Sequence, residues 1–188
     1  IGVDRLVKPQ ILSLLFQMAE GSANPDVKKP SITWSYLKDN EWHPFEGGAL
    51  LSDSTNGLVN TGIIKFKIPT DATSNDTLLP DHLNWIKASC NQNSSGISDT
   101  INILAQAVNA TFCSEQVSAT HFSDLLAPES IKTTLEPLPD IKEVWQPYTS
   151  SKGKPAESNT WFYNRISERL RHKNRAITMW DYEHMVLE

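Results

Sequence analysis

The chain carries only two cysteines, Cys90 and Cys113, among 188 residues. Two thiols cannot build a disulfide framework or a four-cysteine zinc site. One bridge between them stays open beside the simpler expectation of two buried free thiols. A strong excess of either charge is also missing. Seventeen Lys and Arg stand against 22 Asp and Glu, a net charge of −5. Without a global basic field to hold phosphates, a general nucleic-acid binder is excluded. No apolar run approaches the roughly 20 residues of a membrane span. The longest, Ile11 to Met18, is interrupted by Ser13 and Gln17. No signal-peptide pattern is visible. A Gly-rich phosphate loop, a G-x-S-x-G elbow and an H-E-x-x-H pair are absent as well. His43, His82, His121, His172 and His184 are scattered, and none lies one helical turn from another His or Cys. Neither a metal nor a cofactor is therefore expected.

Three weaker signals have plainer explanations. Asp53-Ser54-Thr55-Asn56-Gly57 resembles the start of a calcium loop, but its Gly comes one residue early and no Glu closes it. A tight surface turn is the expectation. Cys113 near His121 suggests a thiol nucleophile, yet Cys113 sits in an apolar, strand-like context that favours an inert thiol. Trp34, Tyr36 and Trp85 could form a sugar-binding platform, but their place on apolar faces predicts core positions.

What is present is patterned. Leu12, Leu14, Phe16 and Met18 alternate, as do Ile32, Trp34 and Tyr36, then Ile64, Phe66 and Ile68. Period-two alternation predicts half-buried strands. Asp39-Asn40 predicts a hairpin into Glu41 to Phe45, and Leu83 to Cys90 reads as a further strand. Ile101, Leu104, Ala105 and Val108 fit a helix within Ser98 to Phe112. Ile141 to Tyr148 looks extended. Towards the C-terminus the period changes. Phe162, Ile166 and Leu170 predict a helix within Pro155 to Lys173. Thr178, with Asp181 three residues on, predicts the capped start of a second helix whose Met179, Tyr182 and Val186 share a face. The expected fold is α+β: a β-rich, sandwich-like domain over 1–127, a Pro-rich linker over 128–140, and an α+β segment with two helices over 141–188. The chain lacks an initiator Met and stops inside a helical pattern, so a piece truncated at its C-terminus is expected.

One stretch stands out in this acidic chain. Arg165, Arg169, Arg171, His172, Lys173 and Arg175 are gathered against one acid, Glu168. At 3.6 residues per turn, Arg165, Arg169 and His172 form a stripe beside the Phe162/Ile166/Leu170 face. It is a solvated face whose aliphatic stems cover the core edge, an anchor for carboxylates on a partner, or a nucleic-acid contact, against which stands the lack of aromatic platforms for single strands here. These six residues are the candidate subunit interface.

The stretch Asn164-Arg165-Ile166-Ser167-Glu168-Arg169-Leu170-Arg171-His172-Lys173, followed by Arg175-Ala176-Ile177-Thr178 and Asp181-Tyr182-Glu183, resembles the baseplate J-like family. Its members are wedge proteins of contractile tails, and the likeness is closest to the large baseplate proteins of extracellular contractile injection systems. Leu14-Leu15-Phe16-Gln17-Met18-Ala19-Glu20-Gly21, Ile32-Thr33-Trp34-Ser35-Tyr36-Leu37, Gly62-Ile63-Ile64 and Leu83-Asn84-Trp85-Ile86-Lys87-Ala88 follow in the family's order. The likeness runs from about Leu12 to Glu188, with no matched motif between Ser94 and Ser130. It implies a structural, non-catalytic role with neither cofactor nor metal. The implied partners are other wedge and hub proteins and sheath or tube components, with self-association within the assembly open. It also implies assembly in the bacterial cytoplasm and then residence in a tail-like particle. The family's proteins are usually much longer, so an interior fragment is implied. A surface adhesin or carbohydrate-binding sandwich is the alternative.

Overall fold

Alternation of apolar and polar side chains organises the first part of the chain into strands. The computed structural model describes residues 1–75, 77–110, 121–122, 124–150, 157–173 and 175–187. The chain divides into two compact units, Ile1–Thr111 and Phe112–Glu188.

Among its described residues the first unit holds eight strands: β1 (Gly2–Asp4), β2 (Gln10–Met18), β3 (Ile32–Lys38), β4 (Glu41–Pro44), β5 (Leu50–Asp53), β6 (Gly62–Ile68), β7 (Leu83–Cys90) and β8 (Thr100–Ala105). They form two four-stranded sheets, ordered β1-β7-β3-β4 and β5-β6-β2-β8, and every pairing is antiparallel. The β3–β4 hairpin turns at Asp39 and Asn40, both at positive φ (52° and 66°). A two-residue loop of that geometry matches the twist of the strands it joins, and Asn and Asp tolerate it best after Gly. Gly62 is required by close approach rather than by its dihedrals, since a Cβ there would lie 2.6 Å from the Ser54 carbonyl carbon.

The sheets face each other across aromatic rings. Trp34 of β3 meets Phe16 of β2 and Phe66 of β6 edge-on, with centroids 5.6 and 5.0 Å apart. Phe45 closes on Phe66 at 5.1 Å. Leu12, Leu14, Ile64, Ile68 and Ile86 complete a buried core. Edge-to-face pairs of this kind add to the hydrophobic gain of burying the rings.

Several expectations hold here. The molecule is β-rich with a smaller helical C-terminal part, and the strands around Leu12, Trp34, Phe66 and Ile86 lie where the alternation placed them. The Asp53 turn is also as expected: its Oδ1 accepts the Thr55 N–H (2.7 Å), and buried Thr55 accepts the Leu58 N–H (2.9 Å).

Three expectations are corrected. The helix expected around Ile101 and Leu104 is strand β8, laid against β2 with Ile103 opposite Phe16. Trp85 is half-buried on the side of its sheet away from the core, because strand alternation gives the core side to its neighbours Asn84 and Ile86. The Trp85 indole N–H donates to the Pro80 carbonyl (3.1 Å). Cys90 is a half-buried free thiol whose Sγ donates to the Gln92 carbonyl at 2.9 Å. Cys113 lies outside the described residues.

In the second unit, residues 124–150 carry no strand. Glu129 N–H donates to Gln146 O and Ser150 N–H to Leu126 O, at 2.8 and 3.0 Å. Two helices follow, α1 (Asn159–His172) and α2 (Met179–Leu187).

Candidate subunit interface

Helix α1 begins where Ser158, in an extended conformation, accepts the Trp161 N–H at 3.4 Å. It ends at Lys173, whose left-handed φ of 49° turns the chain while its N–H bonds to the Arg169 carbonyl. The cations gather towards this C-terminal end, where the helix dipole favours them. The helix therefore has an intrinsic reason for part of its basic character, independent of any partner.

Arg165 and Arg169 are one turn apart on one face. Arg165 makes a fork with Glu157, with Nη2 2.8 Å from Oε2 and Nε 3.1 Å from Oε1. The Arg165 guanidinium holds the Glu157 carboxyl below the usual range. Arg171 points elsewhere, stacked on the Trp180 ring of α2 at 4.4 Å from its centroid. Cation–π contact of this kind ties the two helices together. Lys173 serves as the α1 cap and is exposed, as is Arg175 between the helices. His172 closes α1, and its side chain lies outside the described residues. The expected set thus separates into an Arg165/Arg169 face, an Arg171 link between the helices, and exposed Lys173 and Arg175.

Two participants escaped the sequence reading. Glu157 is eight residues from Arg165 and outside the helix, so no i, i+4 rule pairs them. Trp180 sits beside the apolar positions assigned to α2, and only the turn of chain after Lys173 brings Arg171 to it.

The apolar faces of both helices are largely uncovered. Phe162 is 42% exposed and Leu170 69% on α1, and Met179 77% and Val186 83% on α2. Amphipathic helices normally bury such a stripe. Here the stripe stays on the surface beside the cations.

The start of α2 is held firmly. Asp181 is buried, and its Oδ2 accepts the N–H groups of Thr178 (2.8 Å) and Ile177 (3.1 Å). Thr178 Oγ1 in turn accepts the Asp181 N–H at 3.2 Å. The Thr178 and Ile177 backbone bonds hold the Asp181 carboxyl below the usual range. Its folded value being depressed, its contribution is complete above the unfolded pKa of about 4 and is lost as pH falls through the folded value. Thr178→Ala is expected to cost α2 about 1 kcal/mol, read as roughly fivefold faster amide exchange at Tyr182. Asp181→Asn should remove the acid sensitivity of that exchange. If acidification speeds exchange equally in both proteins, the cap does not govern α2.

In the first unit, a cavity of about 250 Å³ is lined by Tyr36, His43, Pro44, Phe45, Glu46, Ala49 and Pro69. Its rings pack on one another, Tyr36 lying 5.3 Å from Phe45 and 5.9 Å from His43. Tyr36 OH and Lys38 both bond Asp71, at 3.3 and 2.8 Å. Burial first, and then the Asp71 charge, pushes the Tyr36 phenol up, so that group stays protonated and structural. Among the described residues no cluster of His, Cys, Asp and Glu could hold a metal ion, and no helix is long and apolar enough to cross a membrane.

An uncovered apolar and cationic helical surface is the geometry of an assembly component. Residues 1–187 match the family described as baseplate protein, PVC11-like. The chain belongs to this baseplate family. As a PVC11-like protein it is a structural component of the baseplate of a contractile injection system and part of a tail-like particle. No curated protein matches the chain.

Proposed function

We propose that this PVC11-like chain is a J-like wedge component whose subunit contacts link the central hub and tube to the sheath. The observation that carries this reading is the exposure of the apolar faces of both helices, Phe162 and Leu170 on α1 and Met179 and Val186 on α2, with Arg165 and Arg169 flanking that of α1. Arg165 and Arg169, with exposed Lys173 and Arg175, form the contact edge. Charge-assisted contacts of this type set orientation and register more than raw affinity. They can also be exchanged when subunits rotate during baseplate rearrangement. The Pro-rich stretch at 128–140 acts as a stiff joint between the sandwich and the helical segment. Catalysis has no part in this role. The chain assembles in the bacterial cytoplasm with other wedge and hub proteins and with sheath or tube components.

The adhesin alternative needs an open aromatic platform. On the sandwich, Trp42 is half-buried on the outer side of its sheet, and Lys87 Nζ lies over it at 4.5 Å from the centroid. The ring face that would stack on a sugar is already occupied.

The test is affinity purification of the tagged full-length protein from its native cell, with the eluate imaged by negative-stain electron microscopy. Sheathed rods or six-fold baseplates carrying the tag are expected. A tagged protein reproducibly free of tube and sheath components, while particles are being made, would sink the wedge reading.

A further inference from the structure

The Arg165 fork already holds a carboxylate. Arg165 Nε donates to both Glu157 oxygens, at 3.1 and 3.2 Å, and Nη2 donates to Oε2 at 2.8 Å. This two-point grip on a planar acid is one a lysine could not make. The Phe162 ring stands 5.7 Å from the guanidinium carbon. Glu157 precedes the Ser158 cap, so the contact owes nothing to helical register. The two side chains remain 38% and 33% exposed, within reach of an incoming group. An ion pair this accessible is held weakly and exchanges readily.

We propose that Glu157 occupies the place a neighbouring subunit's acidic side chain takes on assembly, making the Arg165 edge a surface for a carboxylate-bearing protein segment and Glu157 its intramolecular competitor. The proposal rests on the reading of α1 as a subunit interface, and adds to it the partner's chemistry and a competition. The surroundings fit that occupant. Arg169 lies on the same face, and from Arg165 to Arg175 the cations outnumber the single acid, Glu168. Exposed Trp161 and Phe162, about one turn before Arg165, offer apolar contact to the rest of the incoming segment. The competitor keeps the fork's donors satisfied before assembly. It also sets a threshold that a single stray carboxylate does not overcome, whereas a partner adding apolar contact does.

The probe is hexaglutamate, titrated into the full chain at low salt while the Arg165 Nε–H resonance is followed by NMR. Glu157→Gln is expected to bind it about fivefold more tightly than the native chain, the most that an exposed pair commonly contributes. Arg165→Ala should weaken binding in both backgrounds. Arg165→Lys, which keeps the charge and loses the fork, should weaken it when combined with Glu157→Gln. Salt should erase the differences. Hexaglutamate binding that Glu157→Gln leaves unchanged or weakens would overturn the proposal. So would tighter binding of an oligothymidylate of equal charge at the same resonance, which would make the surface one for phosphate. Loss of α1 amide protection in Glu157→Gln would show a structural clamp and overturn it too. Particle incorporation separates the two readings. If Arg169→Ala with Arg175→Ala assembles normally, the interface reading fails. If that pair fails to assemble while Glu157→Gln shows no gain for hexaglutamate, only the competition fails.

Discussion

Phe66→Ala is expected to bring the sandwich close to unfolding. Phe66 is fully buried on β6, between Leu12 of β2 and Leu50 of β5. Its ring touches Trp34 from the opposite sheet and Phe45 from the segment after β4, so its removal opens the seam between the layers. A buried Phe truncated to Ala costs about 3–5 kcal/mol, because the cavity term adds to the lost transfer energy. Whole domains are stable by only about 5–15 kcal/mol. The fall should appear as a sharply lower urea midpoint, followed by circular dichroism. Leu51→Ala is the control. Leu51 is exposed at a bulge in the β5 edge strand, so its midpoint should stay near the native one. If Phe66→Ala and Leu51→Ala unfold together with the native chain, the two sheets are not held by this aromatic seam.

The contrast between Phe66 and β8 explains how much of the fold could be read beforehand. Phe66 lies in a run where lysines alternate with apolar residues, and only a strand with one wet side satisfies that pattern. The Asp39-Asn40 hairpin was equally legible, because few residue pairs tolerate two successive positive φ values. The run from Ile101 to Val108 satisfies both periods. What decides it is outside the run: β2 offers an open edge, and pairing with it places Ile103 over Phe16 and satisfies the backbone. Local sequence cannot report the edge of a strand some 80 residues earlier in the chain. Trp85 shows the same limit at one position, since its large ring suggested the core while the register gave that side to Asn84 and Ile86.

At the helical end, capping chemistry was local and therefore legible. Thr178 and Asp181 meet as their spacing predicts. The Glu157–Arg165 fork and the Arg171–Trp180 stack were not legible, because each joins a residue on α1 to one beyond a helix end. The path of the chain at those ends depends on single residues, such as Lys173 in its left-handed conformation. The exposure of the apolar faces was also hidden. A 3.6-residue stripe says that a helix has something to bury, and leaves open whether its own chain supplies the cover.

Arg165→Ala combined with Arg169→Ala is expected to leave the chain folded and to cut its incorporation into particles by more than tenfold. The folded-state cost is small, since the Glu157 pair is solvent-accessible and the Arg169 side chain is exposed. Exposed ion pairs contribute about 0–1 kcal/mol. The cost at an interface is larger for an electrostatic reason. A partner's carboxylate that docks without its guanidinium is desolvated and left unpaired, which costs about 2–5 kcal/mol per site. One such loss already exceeds a tenfold change in association. Arg5→Ala supplies the control, because Arg5 is an almost fully exposed partner of Asp4 on the sandwich and belongs to no candidate contact. Far-UV circular dichroism and a thermal melt check the fold, and the tag signal in purified particles checks incorporation. A double variant that melts far below the native chain would identify these arginines as intramolecular clamps and remove the basis for calling their face an interface. A folded variant that incorporates as Arg5→Ala does would place the subunit contact elsewhere on the chain. The outcome expected from the exposed helical face is the remaining one: a folded protein that no longer joins the particle.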